Sequence, residues 1–84
     1  MQCVDVRQPV EMIALFSGAQ VRPLRFRWKG AVYKVRKVLG HWSDDTGMQQ
    51  QVYFSVRTDL AADCELCFNS RDMHWMITRI AAET

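Results

Sequence analysis

The sequence predicts an all-β domain: a small antiparallel meander of five to six strands, folded as a partly closed SH3-like barrel or a two-layer sheet. Three observations lead there. Apolar and polar residues alternate over several short runs, with the period of two that sends successive side chains to opposite faces of a strand. Those runs are separated by hairpin-length segments containing Gly, Asp, Asn or Ser. Nine of the 84 residues are aromatic, a content that suits a core built between sheet faces. A chain of this length makes one domain, 1–84, burying roughly 60 to 65 % of its unfolded surface. That is enough for one thin core, and curling the sheet limits its open edges.

The first eight residues, Met1 to Gln8, are polar and without pattern, and the expectation is a frayed terminus with the ordered core at about 10–80. Pro9 to Phe16 allows two readings. Pro9 and Gly18 could frame a short helix. That helix would be apolar on every side through Val10, Met12, Ile13, Ala14, Leu15 and Phe16, so a strand is the favoured reading. Ser17-Gly18-Ala19-Gln20 makes the turn after it.

From Val21 the period is two. Leu24, Phe26 and Trp28 share one face and Arg25 and Arg27 the other. Lys29-Gly30 supplies a two-residue hairpin turn, with Gly able to take a positive φ. Such a turn fixes the register: Trp28 opposite Ala31, Phe26 opposite Tyr33, Leu24 opposite Val35, with Arg27 meeting Val32 and Arg25 meeting Lys34 on the reverse face. Alternation breaks at Arg36-Lys37, where a β-bulge would bend the strand. Gly40-His41-Trp42 is expected to end that strand, and 43–50 to be a mobile polar loop. Period two returns with Val52, Phe54 and Val56. It continues, after a turn at Asp59 to Asp63, with Cys64, Leu66 and Phe68. After a turn at Ser70-Arg71-Asp72 comes the last strand, with Met73, Trp75 and Ile77 on its inner face, ending near Ile80 before a loose tail from Ala81.

The charge is unevenly laid out. Seven of the eleven Lys and Arg residues fall between Arg22 and Lys37, a stretch without a single acid, while the remainder carries four Arg against nine acids, a net of −5. Arg25, Arg27, Lys34 and Arg36 should project from one sheet face, with Lys29 at the hairpin tip and Lys37 at its base. Such a face can neutralise phosphates, and a β-ribbon can lie along nucleic acid. Lys and Arg also line solvent faces and sheet edges for purely structural reasons. The aromatics are expected on the opposite, core face, which argues against a base-stacking platform.

Other chemistry is weakly represented. Cys64-Glu65-Leu66-Cys67 has C-x-x-C spacing, but only Cys3, His41 and His74 could complete a zinc site. In a strand, positions i and i+3 face opposite ways. The reading is therefore Cys64 in the core, Cys67 a semi-exposed thiol, and no metal or cofactor. Neither histidine has a nucleophile and orienting acid at a legible spacing, and the four glycines form no phosphate loop, so the chain reads as a non-enzyme. Its longest apolar stretch, Met12 to Phe16, is far short of the roughly 20 residues that span a bilayer. Three cysteines without an export signal suggest the cytoplasm.

Phe26-x-Trp28-x-Gly30-x-x-Tyr33-x-Val35-x-x-Val38-Leu39-x-x-Trp42, followed by Tyr53-Phe54-x-Val56, Leu66 and Trp75, resembles a family of small uncharacterised bacterial β-rich proteins, a domain of unknown function. Some of its members are associated with error-prone DNA polymerases. The resemblance implies a stand-alone β-rich domain with no catalytic residues and adds weight to a nucleic-acid role. The first expectation is thus a binding module for nucleic acid or an acidic protein. The alternative is a homodimer or assembly protein pairing through sheet edges.

Overall fold

A computed structural model describes residues 2–18, 20–46, 49–60 and 63–82. The chain forms seven strands rather than five or six: β1 (Gln2–Pro9), β2 (Glu11–Ser17), β3 (Gln20–Trp28), β4 (Ala31–Thr46), β5 (Gln49–Thr58), β6 (Asp63–Asn69) and β7 (His74–Ala82). All pairings are antiparallel, in the order β1-β7-β6-β5-β4-β3-β2. β2 to β7 are therefore a meander. β1 and β2, consecutive in the chain and separated only by Val10, lie on opposite edges of the same sheet. Two edges joined by one residue force the sheet to curl, and it forms a half-barrel. The seam is tied at that residue, where the Val10 amide donates to the Trp75 carbonyl at 3.1 Å.

The added strand is the segment expected to fray. Its ladder with β7 runs from Gln2↔Ala82 to Pro9↔Met76 and is broken by a bulge between Asp5 and Gln8, in which Arg7 takes φ 53°. Val4 and Val6 alternate with Asp5 and Arg7, but the bulge ends that period after two apolar positions, too few to announce a strand. The expected loose tail likewise belongs to β7 as far as Ala82, and Glu83-Thr84 lie outside the described residues.

The segment from Pro9 to Phe16 is extended rather than helical, but it is not one buried strand: Pro9 ends β1, Val10 lies between, and β2 starts at Glu11 as a largely exposed edge strand. The hairpin register holds at Trp28↔Ala31, Phe26↔Tyr33, Arg27↔Val32 and Arg25↔Lys34. Lys29 and Gly30 both have positive φ, 51° and 77°, the geometry of a turn whose twist matches that of its strands. The pairing of Leu24 with Val35 does not form. β3 carries a bulge at Leu24, the extra residue between Arg25 and Pro23, which pair with the consecutive Ile13 and Ala14 of β2. This register shift leaves Leu24 unpaired and 41 % exposed and turns Pro23 inward, fully buried. Val35 pairs instead with Thr58, so β4 leaves β3 there and crosses to β5. The bulge expected at Arg36-Lys37 sits at this crossover, with a second between Val38 and Gly40.

β4 does not stop at Trp42, and 43–46 and 49–50 are strand rather than loop. β4 continues to Thr46 and β5 starts at Gln49, with pairs from Ser43↔Val52 to Thr46↔Gln49, while Gly47 and Met48 lie outside the described residues. Met73, expected in the last strand, belongs to the turn closed by Asn69↔His74, has φ 60° and is exposed. The turns at 18–19 and 59–62 fall where expected, but Ala19, Ala61 and Ala62 lie outside the described residues.

The core is the concave side of the half-barrel. Phe26, Trp28, Phe54, Val56, Cys64, Leu66, Phe68, Trp75 and Ile77 are buried together, with Tyr33, Val35, Val38 and Met12 packed on their margin. Phe26 stacks on Tyr33 with centroids 5.0 Å apart, and Phe68 lies 4.9 Å from Trp75. The Trp28 indole N–H donates to Gln8 Oε1 at 2.8 Å, linking β3 to β1 across the open side of the sheet.

Candidate functional site

The convex face is where the charge segregation becomes a surface. Arg25 and Arg27 alternate with the buried Phe26 and Trp28 on β3, and Lys34 and Arg36 alternate with the half-buried Tyr33 and Val35 on β4. All four are exposed on the outer side, as are Arg22, Lys29 and Lys37. Cross-strand pairing sets Arg25 beside Lys34, a juxtaposition of like charges that costs energy within the sheet. The bulge after Val35 keeps Arg36 and Lys37 both outside, so the row continues along β4 past the crossover.

Acids from the rest of the molecule do not neutralise this row. Asp63 is bound by Arg57 at 3.1 Å and Asp5 by Arg79 at 3.1 Å, both on the limb of the sheet formed by β5, β6, β7 and β1. Asp72 faces His74 at 3.6 Å, and Asp59 accepts the Lys34 backbone amide at 2.9 Å. Among the described residues the row's one side-chain ion pair is Arg27 with Glu11 of β2 at 4.0 Å, both groups largely exposed, a pairing worth little in water; Asp59 meets Lys34 at its backbone amide rather than at its ammonium. Lys29 Nζ rests 4.8 Å above the Trp28 ring at the hairpin tip. Among the described residues, Arg22, Arg25, Lys34, Arg36 and Lys37 have no carboxylate within ion-pair distance.

The same face carries apolar groups, of which only Val32 was expected there. Ile13 and Leu15 on β2 are half exposed and stand opposite Arg25 and Arg22, with Val32 and Leu24 nearby, also exposed. A shallow depression of about 280 Å³ between Ile13, Arg25, Arg27 and Val32 is part of this surface.

The two cysteines point to opposite sides of β6. Cys64 is in the core, and burial pushes its thiol up to about 11, helped by the neighbouring Asp63 charge. Cys67 faces outward yet is only 5 % exposed, not the semi-exposed thiol expected, because Tyr53 of β5 and Met76 of β7 flank it in register. Burial raises its pKa too, against the lowering effect of a hydrogen bond with Tyr53. Among the described residues no group of three or more His, Cys, Asp and Glu side chains is placed to hold a metal ion, and the Cys3 side chain lies outside them. Both histidines are exposed.

Contrary to expectation, not every aromatic residue faces the core: Phe16 is half exposed at the β2 edge, and Trp42 and Tyr53 lie on the outer face. Trp42 is 46 % exposed on the outer face and stacks on Tyr53, with centroids 5.5 Å apart and ring planes 7° from parallel. Counted by alternation alone Trp42 would share the face of inward Val38; the bulge between Val38 and Gly40 reverses the count, and Trp42 pairs with Tyr53 on the outer side. Strand β4 therefore presents cations in its first half and an exposed aromatic in its second, on one continuous outer side.

No helix among the described residues is long and apolar enough to cross a membrane. A family model described as "Domain of unknown function (DUF6504)" matches residues 2–82. No curated protein and no solved structure matches the chain.

Proposed function

The chain belongs to this family of unknown function, and we propose that it is a non-enzymatic binding module that engages nucleic acid through the basic outer face of β3 and β4. The observation that carries the reading is the pairing pattern of the acids. Asp5 and Asp63 are held by Arg79 and Arg57 on the other limb, while among the described residues Arg25, Lys34, Arg36 and Lys37 form no side-chain ion pair and stay exposed. Folding keeps like charges side by side in the Arg25↔Lys34 pair, and a polyanion relieves that repulsion. The association with DNA polymerases implied by resemblance belongs to this same reading.

Salt dependence is the test. If Arg25, Arg27, Lys29 and Lys34 each neutralise one phosphate, affinity for a generic DNA falls about 50- to 150-fold between about 50 and 200 mM salt. The double variant R25E/K34E removes binding while leaving the fold intact, since both side chains are on the surface. No binding, or binding indifferent to salt, refutes the proposal. Equal affinity for polyglutamate of matched charge points to an acidic protein partner instead.

A second reading, self-association through a sheet edge, has its own observation. Edge strand β2 leaves Ile13, Leu15 and Phe16 each about half exposed (52 %, 51 % and 52 %), an apolar edge of the kind that pairs with another strand. A strict monomer in sedimentation at micromolar concentration excludes it.

A further inference from the structure

On the outer face of β1, β7, β6, β5 and β4 lies an open cavity of about 350 Å³, walled on one side by the Trp42–Tyr53 stack. Its charged groups fall into two sets. Asp5 and Arg79 satisfy each other, and Glu65 accepts a hydrogen bond from the Thr78 hydroxyl at 2.9 Å. Asp44 and Arg7 also line the cavity, and among the described residues neither has an ion-pair partner. Arg7 reaches this wall from the β1 bulge, where it holds a positive φ of 53°. That conformation is strained for a non-glycine residue and tends to persist where a side chain has a task. An exposed flat aromatic, a free acceptor and a free donor around one opening are the complement of a planar ring with a polar edge.

We infer that this cavity takes one unpaired nucleobase, stacked on Trp42, with Asp44 accepting from an exocyclic amine and Arg7 donating to a ring nitrogen or carbonyl. The inference rests on the nucleic-acid reading above and narrows it to single strands, because a base inside a duplex cannot stack on a side chain. The two sites are joined by β4: Lys34, Arg36 and Lys37 give way to Gly40 and then Trp42 on the same side of one strand. From Lys37 to Trp42 is about 17 Å along the strand, a span for a few nucleotides of extended chain. The acids around Trp42 disfavour a phosphate there and favour a neutral base, and unpartnered Asp44 favours cytosine or adenine over thymine.

Fluorescence anisotropy with labelled 12-mers of dC, dA and dT, an abasic 12-mer and a matched duplex tests this. W42A is expected to weaken dC and dA binding about 5- to 150-fold, the usual worth of one stacked base. It should leave the abasic strand, the duplex and the salt dependence unchanged. D44N should bring dC and dT together. R7G, which removes the positive-φ cost, should keep or raise thermal stability while weakening dC binding; a purely structural Arg7 would move stability alone. If W42A and W42L, both folded, bind dC as the parent does, or if the abasic strand binds as tightly as dC, the stacking inference is overturned and the basic-face proposal stands. If no probe binds the parent protein, both fall.

Discussion

Replacing Gln8 by Ala removes a side-chain hydrogen bond that spans the open side of the half-barrel. Its acceptor Oε1 lies 2.8 Å from the Trp28 indole nitrogen, and the Trp28 side chain is only 9 % exposed. A neutral hydrogen bond contributes about 0.5–1.5 kcal/mol, and a donor left largely buried without a partner costs about 1–3 kcal/mol. Partial access of water to the vacated position puts the net loss at about 1–2 kcal/mol. In a domain of this size each kcal/mol moves Tm by about 4–8 °C, so Q8A should melt about 4–16 °C lower in thermal circular dichroism. Q8E, which keeps the acceptor, should recover most of the loss. Hydrogen exchange should quicken at β1 amides more than at β5 or β6, since only β1 loses a tether. A shift below about 1 °C, or equal acceleration in all strands, would refute the idea that this bond fastens β1 to the sheet.

Lys29 occupies the first position of a turn that favours Asn there, at φ 51°. K29N should raise the urea midpoint by the equivalent of about 0.5 kcal/mol, the gain in backbone preference less the Lys29–Trp28 contact, and a lower midpoint would contradict the turn geometry. The Cys64 thiol, pushed up to about 11, stays protonated in the folded chain after its unfolded counterpart has ionised. Stability should therefore be flat below about pH 8.5 and fall by up to about 1.4 kcal/mol per pH unit from there toward 11. Urea titrations at pH 8 and 10.5 measure this. C64A should flatten much of the slope, and a parent profile unchanged to pH 10.5 would count against a buried neutral thiol.

The Lys29-Gly30 hairpin was legible because a two-residue turn and four alternating positions on each side permit a single register. Features that depend on a distant partner were not. The exchange of Leu24 for Pro23 in the core originates in the extra residue that β3 carries opposite Ile13 and Ala14 of β2; alternation counted along β3 passes over it, and Pro23, a residue sheets confine to edges and bulges, is its one local mark. The second half of β4 was unreadable for another reason. Ser43 and Asp44 are exposed along with Trp42, and a ribbon wet on both sides has no period to detect. β1 is held by backbone pairing to β7, which leaves little trace in side-chain pattern. At the site, the positions of the cations were readable from composition, and their lack of acidic partners was not, because Arg57 and Arg79 claim their acids only in three dimensions. Trp42 was misjudged since aromatic content reads as core until a strand's parity is known.

The placement of β1 and β2 on opposite edges also orders the assembly of the molecule. Every ladder from β2 to β7 joins neighbours in the chain, whereas β1 meets β7 through pairs such as Gln2↔Ala82 and Pro9↔Met76. Closing so long a loop costs more chain entropy than any of the hairpins and is repaid only after β7 is in place. The meander is then the nucleus and β1 its final clasp. Substitutions at Val4 and Val6 should speed unfolding and leave the folding rate almost unchanged, and slowed folding would reverse that order. A clasp that docks last is also the first to open, and in opening it would carry Asp5 and Arg7 away from the Trp42 groove together.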